Sequence, residues 1–85
     1  MTLHLVFNSA GFAACQQRKM SDDPIILLGD GVYCAHRLDE DNIYALEIDA
    51  QVRGVSLAQS TVSPVDDDTV VALTAVHSPI VSWAE

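Results

Sequence analysis

The sequence predicts an α/β domain, a mostly parallel sheet with helices on both faces. Three observations carry this. Short apolar runs alternate with helical stretches along the chain, and such alternation builds parallel strands joined by crossover helices. Ile25-Ile26-Leu27-Leu28 is apolar on both faces, which suits a central strand covered above and below. Eighty-five residues, 49% of them hydrophobic, supply one core and not two, so residues 1–85 are expected to form a single domain.

The elements follow in order. Leu3 to Phe7 is a first strand, ended by Asn8-Ser9. Asn8 or Ser9 has the short polar side chain that caps a helix, and Ala10 to Met20 continues as one, with Phe12 and Cys15 on a shared face. Ser21-Asp22-Asp23-Pro24 is a turn. The central strand, 25–28, ends in Gly29-Asp30-Gly31, and Val32 to His36 forms a short helical segment. Arg37 to Asn42 is an acidic, solvated loop, and Ile43 to Ile48 a third strand. Asp49 caps a helical turn through Arg53, which Gly54 stops in a left-handed conformation. Thr61 to Val65 is a short fourth strand, weakened by Pro64. Asp66-Asp67-Asp68 opens a last helix, where acidic side chains complement the positive end of the dipole. Val70, Val71, Leu73, Thr74 and Val76 carry that helix to His77, Ser78-Pro79 ends it, and Ile80 to Trp83 is a closing strand.

Twelve Asp/Glu against four Lys/Arg give a net charge of −8. That balance excludes a direct grip on nucleic acid or anionic lipid, since both need a cationic footprint. Two cysteines, Cys15 and Cys34, are too few for a disulfide framework. No segment reaches the roughly 18 apolar residues of a membrane span. Met1 to Phe7 lacks the basic region of a signal peptide, so the cytoplasm is the expected location, with both thiols reduced. The apolar surplus points to burial of a face in an oligomer.

Few side chains suggest chemistry. Strand, Gly29-Asp30-Gly31, then helix has the geometry of a phosphate cradle, yet it lacks both the GxGxxG pattern and a P-loop lysine, and Asp30 would repel a phosphate. Its plain reading is a structural turn at the carboxyl end of the sheet, where open α/β sheets place their sites. Cys15 has two readings. As a thiolate it would gain from the helix N-terminus and from Arg18 and Lys19; otherwise it is a small buried hydrophobe. Cys34 is core filler. His4, His36 and His77 lie on separate elements without metal-ligand spacing, and neither a metal nor a cofactor is expected. Arg53 pairs locally with Asp49.

Several segments together resemble the DsrH/TusB family. They are His4 with Asn8-Ser9 behind it, Leu27-Leu28-Gly29-Asp30-Gly31-Val32-Tyr33-Cys34-Ala35, Tyr44-Ala45-Leu46, Asp49 with Arg53-Gly54, Leu73-Thr74 with His77, and Trp83. The likeness spans nearly the whole chain, although the stretches between Asp30 and Ile43 and after Gly54 are short for that family. It implies a DsrE-like fold and a subunit of a cytoplasmic heterohexamer, with TusC/DsrF-like and TusD/DsrE-like partners. Such a complex passes persulfide sulfur to a small acceptor protein. The sulfur ends as 2-thiouridine at the tRNA wobble position in one branch and serves sulfur oxidation in the other. The implied role is mainly structural. Cys15 matches the placement of an auxiliary cysteine on the first helix, Asp30, Gly31 and Arg53 shape the turns or an interface, and Trp83 packs at the last strand or an interface. A stand-alone binder of small molecules at the Asp30 end of the sheet is the alternative.

Overall fold

The computed structural model describes residues 2–20, 22–37, 42–58, 60–77 and 79–84. Five strands form one sheet in the order β4-β3-β2-β1-β5: β1 (Leu3–Val6), β2 (Ile25–Leu27), β3 (Ile43–Leu46), β4 (Ser63–Val65) and β5 (Ile80–Trp83). Every neighbouring pair is parallel, so the sheet expected to be mostly parallel is entirely so. The connections are α1 (Ser9–Arg18), a 3₁₀ segment over Gly29–Arg37, α2 (Glu47–Val52) and α3 (Asp67–Val76). The central strand is β2, whose three residues are all buried, and Pro64 lies on the edge strand β4, where a missing N–H is tolerated.

Direction of travel decides which face each helix covers. The steps β1→β2→β3→β4 all run one way across the sheet, and right-handed crossovers put α1, the 3₁₀ segment and α2 on the same face. The step β4→β5 returns across the whole sheet, which puts α3 on the other. Packing follows this division. The main core joins Val6, Ile25, Leu27, Ile43 and Ala45 of the strands to Phe12 and Cys15 of α1, Val32, Cys34 and Ala35 of the 3₁₀ segment, and Ala50 of α2. Register places His4, Val81 and Trp83 on that same face. The opposite face carries Leu3, Leu5, Ile26, Tyr44, Leu46, Val65, Ile80 and Ser82.

Local signals explain most boundaries. The Asn8 side chain accepts from the Gly11 N–H at 2.6 Å and caps α1; the Asp66 side chain accepts from the Thr69 N–H at 2.8 Å and caps α3. Gly54 adopts φ +69° after α2. The third strand stops earlier than expected, because α2 already begins at Glu47. Asp49 therefore lies inside α2, and its Oδ2 accepts from the Gly29 N–H at 2.7 Å, serving the start of the 3₁₀ segment instead of its own helix. The middle of the acidic loop (38–41), Ser21 of the first turn and Ser78 of the last lie outside the described residues.

Candidate functional site

Two polar clusters flank the core. At the carboxyl end of the sheet, Arg53 Nε donates to Asp30 Oδ1 at 2.9 Å, and its Nη1 donates to the Asp49 carbonyl oxygen at 3.3 Å. Arg53, expected to pair only with Asp49 four residues back, thus also ties α2 to the turn after β2. Asp30 is largely exposed and Arg53 is not buried, so water screens this pair. Gly31 beside them is buried, and a Cβ there would run into the Val6 carbonyl oxygen. Asp30, Gly31 and Arg53, singled out from sequence, do come together here, but as a structural clasp: the guanidinium is already occupied by two acceptors.

The second cluster went unremarked in the sequence. His4 Nε2 lies 2.9 Å from Asp23 Oδ2, and Trp83 Nε1 donates to His4 Nδ1 at 2.9 Å. Indole can only donate, so Nδ1 must accept; the hydrogen-bond partners assign the ring proton to Nε2, where it points at the carboxylate. Asp23 also accepts from the Thr2 N–H at 3.0 Å and the Met20 N–H at 2.9 Å. His4 and Asp23 are 4% and 5% exposed. The network joins β1, β5 and the connection from α1 to β2. With both ring nitrogens engaged, His4 offers no lone pair for general-base work or for a metal.

Burial by itself would push the Asp23 carboxyl up. The hydrogen bonds from His4, Met20 and Thr2 outweigh it and hold the group down, from 3.8 to about 2. A carboxylate depressed in the folded state stabilises fully above its unfolded pKa and loses that contribution as pH falls through the folded value. Thermal melts should therefore drop between about pH 4 and pH 2, the window between those two values. The gap between the native chain and Asp23→Asn should narrow across the same window; a constant gap would show that Asp23 is not the group responsible.

The thiols are less available than their sequence context suggests. Cys15 stands in the second turn of α1, past the reach of the helix N-terminus, and is 0% exposed within the core. The exposure that nucleophilic attack on sulfur requires is not present at this position. Cys34 is equally buried, and burial pushes its thiol up, with Arg37 acting in the opposite direction. Among the described residues, no group of three or more His, Cys, Asp or Glu is placed to hold a metal ion, and no helix is long and apolar enough to cross a membrane. An open groove of about 540 Å³ runs between α2 and the segment leading to β4, lined by Ala50, Val55, Leu57, Val62 and Pro64 with Glu47 at its side. A smaller depression, of about 240 Å³, is lined by Glu47, Ile48, Gln51, Asp66 and Asp67. Neither includes Gly29, Asp30 or Gly31.

A family model, DsrH, described as DsrH like protein, matches residues 6–80. A search of the curated proteins gives no match. The matched span takes in α1, the Gly29-Asp30-Gly31 turn, α2 and α3.

Proposed function

The chain belongs to the DsrH family, and from that premise we propose that it is a mainly architectural subunit of a sulfur-relay complex. The match over residues 6–80 carries this reading. In the complex the chain stands in the cytoplasm beside TusC/DsrF-like and TusD/DsrE-like subunits. The assembly passes persulfide sulfur to a small acceptor protein, toward 2-thiouridine at the tRNA wobble position. Several features support an architectural role: Cys15 and Cys34 are buried, both nitrogens of His4 are engaged, and Arg53 is clasped by Asp30 and the Asp49 carbonyl. A net charge of −8 favours handing sulfur to proteins over touching tRNA.

A second reading, a subunit serving sulfur oxidation, is favoured by one observation, the cysteine on the first helix. There Cys15 would attack a donor persulfide as thiolate and take its outer sulfur, while the donor leaves as a thiolate; α1 would have to shift for the attack to occur. Co-expression with TusC/DsrF-like and TusD/DsrE-like chains, followed by intact mass spectrometry after a persulfide donor is added, tests both. We expect a three-component complex with the extra sulfur on a partner, and a Cys15→Ala variant that assembles and transfers sulfur at the native rate. Sulfur on Cys15, with transfer lost in Cys15→Ala, would instead make this subunit a carrier. Failure of any partner to co-purify would remove the sulfur-relay reading altogether.

A further inference from the structure

The two faces of the sheet are covered unequally. One carries α1, the 3₁₀ segment and α2. Among the described residues the other carries α3 alone, and none of the ten residues of α3 is buried. Half-buried Val70, Leu73, Thr74 and His77 recur at helical spacing and mark the side of α3 turned to the sheet. The outward side should then be polar, as on an ordinary surface helix. Instead it reads Val71, Ala72, Ala75 and Val76, all exposed, with Val71 at 66% and Val76 at 75%. On the sheet face that α3 crosses, Ile80 is 43% exposed. A parallel sheet needs both faces covered; Leu3, Ile26, Leu46 and Val65 on this face are buried, while Ile80 at its β5 edge and the outer side of α3 stay open.

Charge indicates what completes it. The apolar side of α3 begins at Asp66, Asp67 and Asp68, and Asp66 and Asp67 also line the depression shared with Glu47 and Ile48 of α2. The four cations of the chain are Arg18, Lys19, Arg37 and Arg53, so nothing from Gly54 onward can answer those carboxylates. A second copy docked through α3 would therefore bring aspartates with no Lys or Arg to meet them. In the antiparallel arrangement they would face the negative end of the partner helix. Self-association through α3 is disfavoured on that ground.

We infer that the outward side of α3 is the docking surface for a different protein chain, one presenting an apolar face bordered by Lys or Arg. A basic side chain of that partner enters the depression between Glu47, Asp66 and Asp67 and lays its aliphatic stem on Ile48. Apolar contact with Val71 and Val76 holds the complex, while the acidic border steers encounter and rejects acidic chains. This rests on the sulfur-relay reading only in requiring that partner subunits exist; it adds which surface they use and what chemistry they bring.

Co-purification with the co-expressed TusC/DsrF-like and TusD/DsrE-like chains tests it. A Val71→Glu/Val76→Glu variant should keep its circular dichroism and melting temperature, because neither side chain is buried, yet lose partner binding at least tenfold. Asp67→Lys/Asp68→Lys should weaken binding several-fold and flatten its salt dependence. Hydrogen exchange should slow across Asp67–Val76 when the native complex forms. A native complex that tolerates Val71→Glu/Val76→Glu, with no slowing in α3, overturns the docking surface and leaves the sulfur-relay reading intact. No native complex at all overturns both. A chain that dimerises alone, and becomes monomeric on Val71→Glu/Val76→Glu, overturns the choice of a different partner.

Discussion

Asp23→Ala should cost about 3–5 kcal/mol, because it removes one buried acceptor and leaves three donors behind. Three groups lose their partner at once: the Thr2 N–H, the Met20 N–H and the Nε2–H of His4. A buried donor left unsatisfied, such as the His4 Nε2–H, carries a desolvation penalty of about 1–3 kcal/mol, and the part-buried Thr2 and Met20 N–H groups carry less where water can enter. A chain of 85 residues has a total stability on the order of 4–13 kcal/mol, so the loss is a large fraction of the whole and the urea midpoint should fall accordingly. Trp83→Phe is the milder companion. It keeps an aromatic ring but deletes the donor to His4 Nδ1, at an expected cost of about 1–3 kcal/mol. Urea titration followed by circular dichroism measures both. An Asp23→Ala chain within about 1 kcal/mol of the native one would mean that the carboxylate does not anchor these donors.

Much of the architecture was legible because it rests on local rules. Alternating apolar runs and helical stretches indicated the order of elements, and the caps at Asn8 and Asp66 stand where short polar side chains precede a helix. The doubly apolar run at Ile25 located the centre of the sheet. What was not legible depends on distance in the chain. Asp23 lies 19 residues from His4, and Trp83 lies 79 residues from it, so no motif could connect them. One signal did exist: a histidine inside a strand expected to be buried must satisfy both ring nitrogens. Asp49 misled for a related reason. It has the chemistry of a helix cap, but the N–H it satisfies is that of Gly29, 20 residues away. For Cys15, the sequence left open a small buried hydrophobe or a thiolate aided by Arg18 and Lys19, and the fold adds its full burial, which depends on contacts distant in the chain. The apolar outer side of α3 was visible as residues, but which of its sides faces away from the sheet depends on the fold.

Gly31→Ala should be the most damaging change of a single methyl group in the chain. The new Cβ would meet the carbonyl oxygen of Val6, with the Val6 carbonyl carbon and the Phe7 nitrogen directly behind it. Backbone cannot swing aside as a flexible side chain can. The Val6 oxygen is moreover committed, accepting from the Leu28 N–H at 2.9 Å where β1 and β2 meet. Relieving the clash means breaking that bond or lifting the 3₁₀ segment, whose Val32, Cys34 and Ala35 belong to the core. An overpacked core position costs about 1–3 kcal/mol and occasionally more, and Gly31→Ala should lie at or above the top of that range. Gly11→Ala supplies the contrast. Its Cβ would run into the Trp83 carbonyl oxygen, which accepts from the Phe7 N–H at 3.0 Å, so the same kind of obstruction exists. Gly11 sits inside α1, however, where alanine gains about 1 kcal/mol of helix propensity over glycine. The two variants should therefore rank Gly31→Ala below Gly11→Ala below native in urea midpoint. If Gly11→Ala proved more stable than the native chain, as propensity by itself would have it, the close approach of α1 to the end of β5 would be wrong.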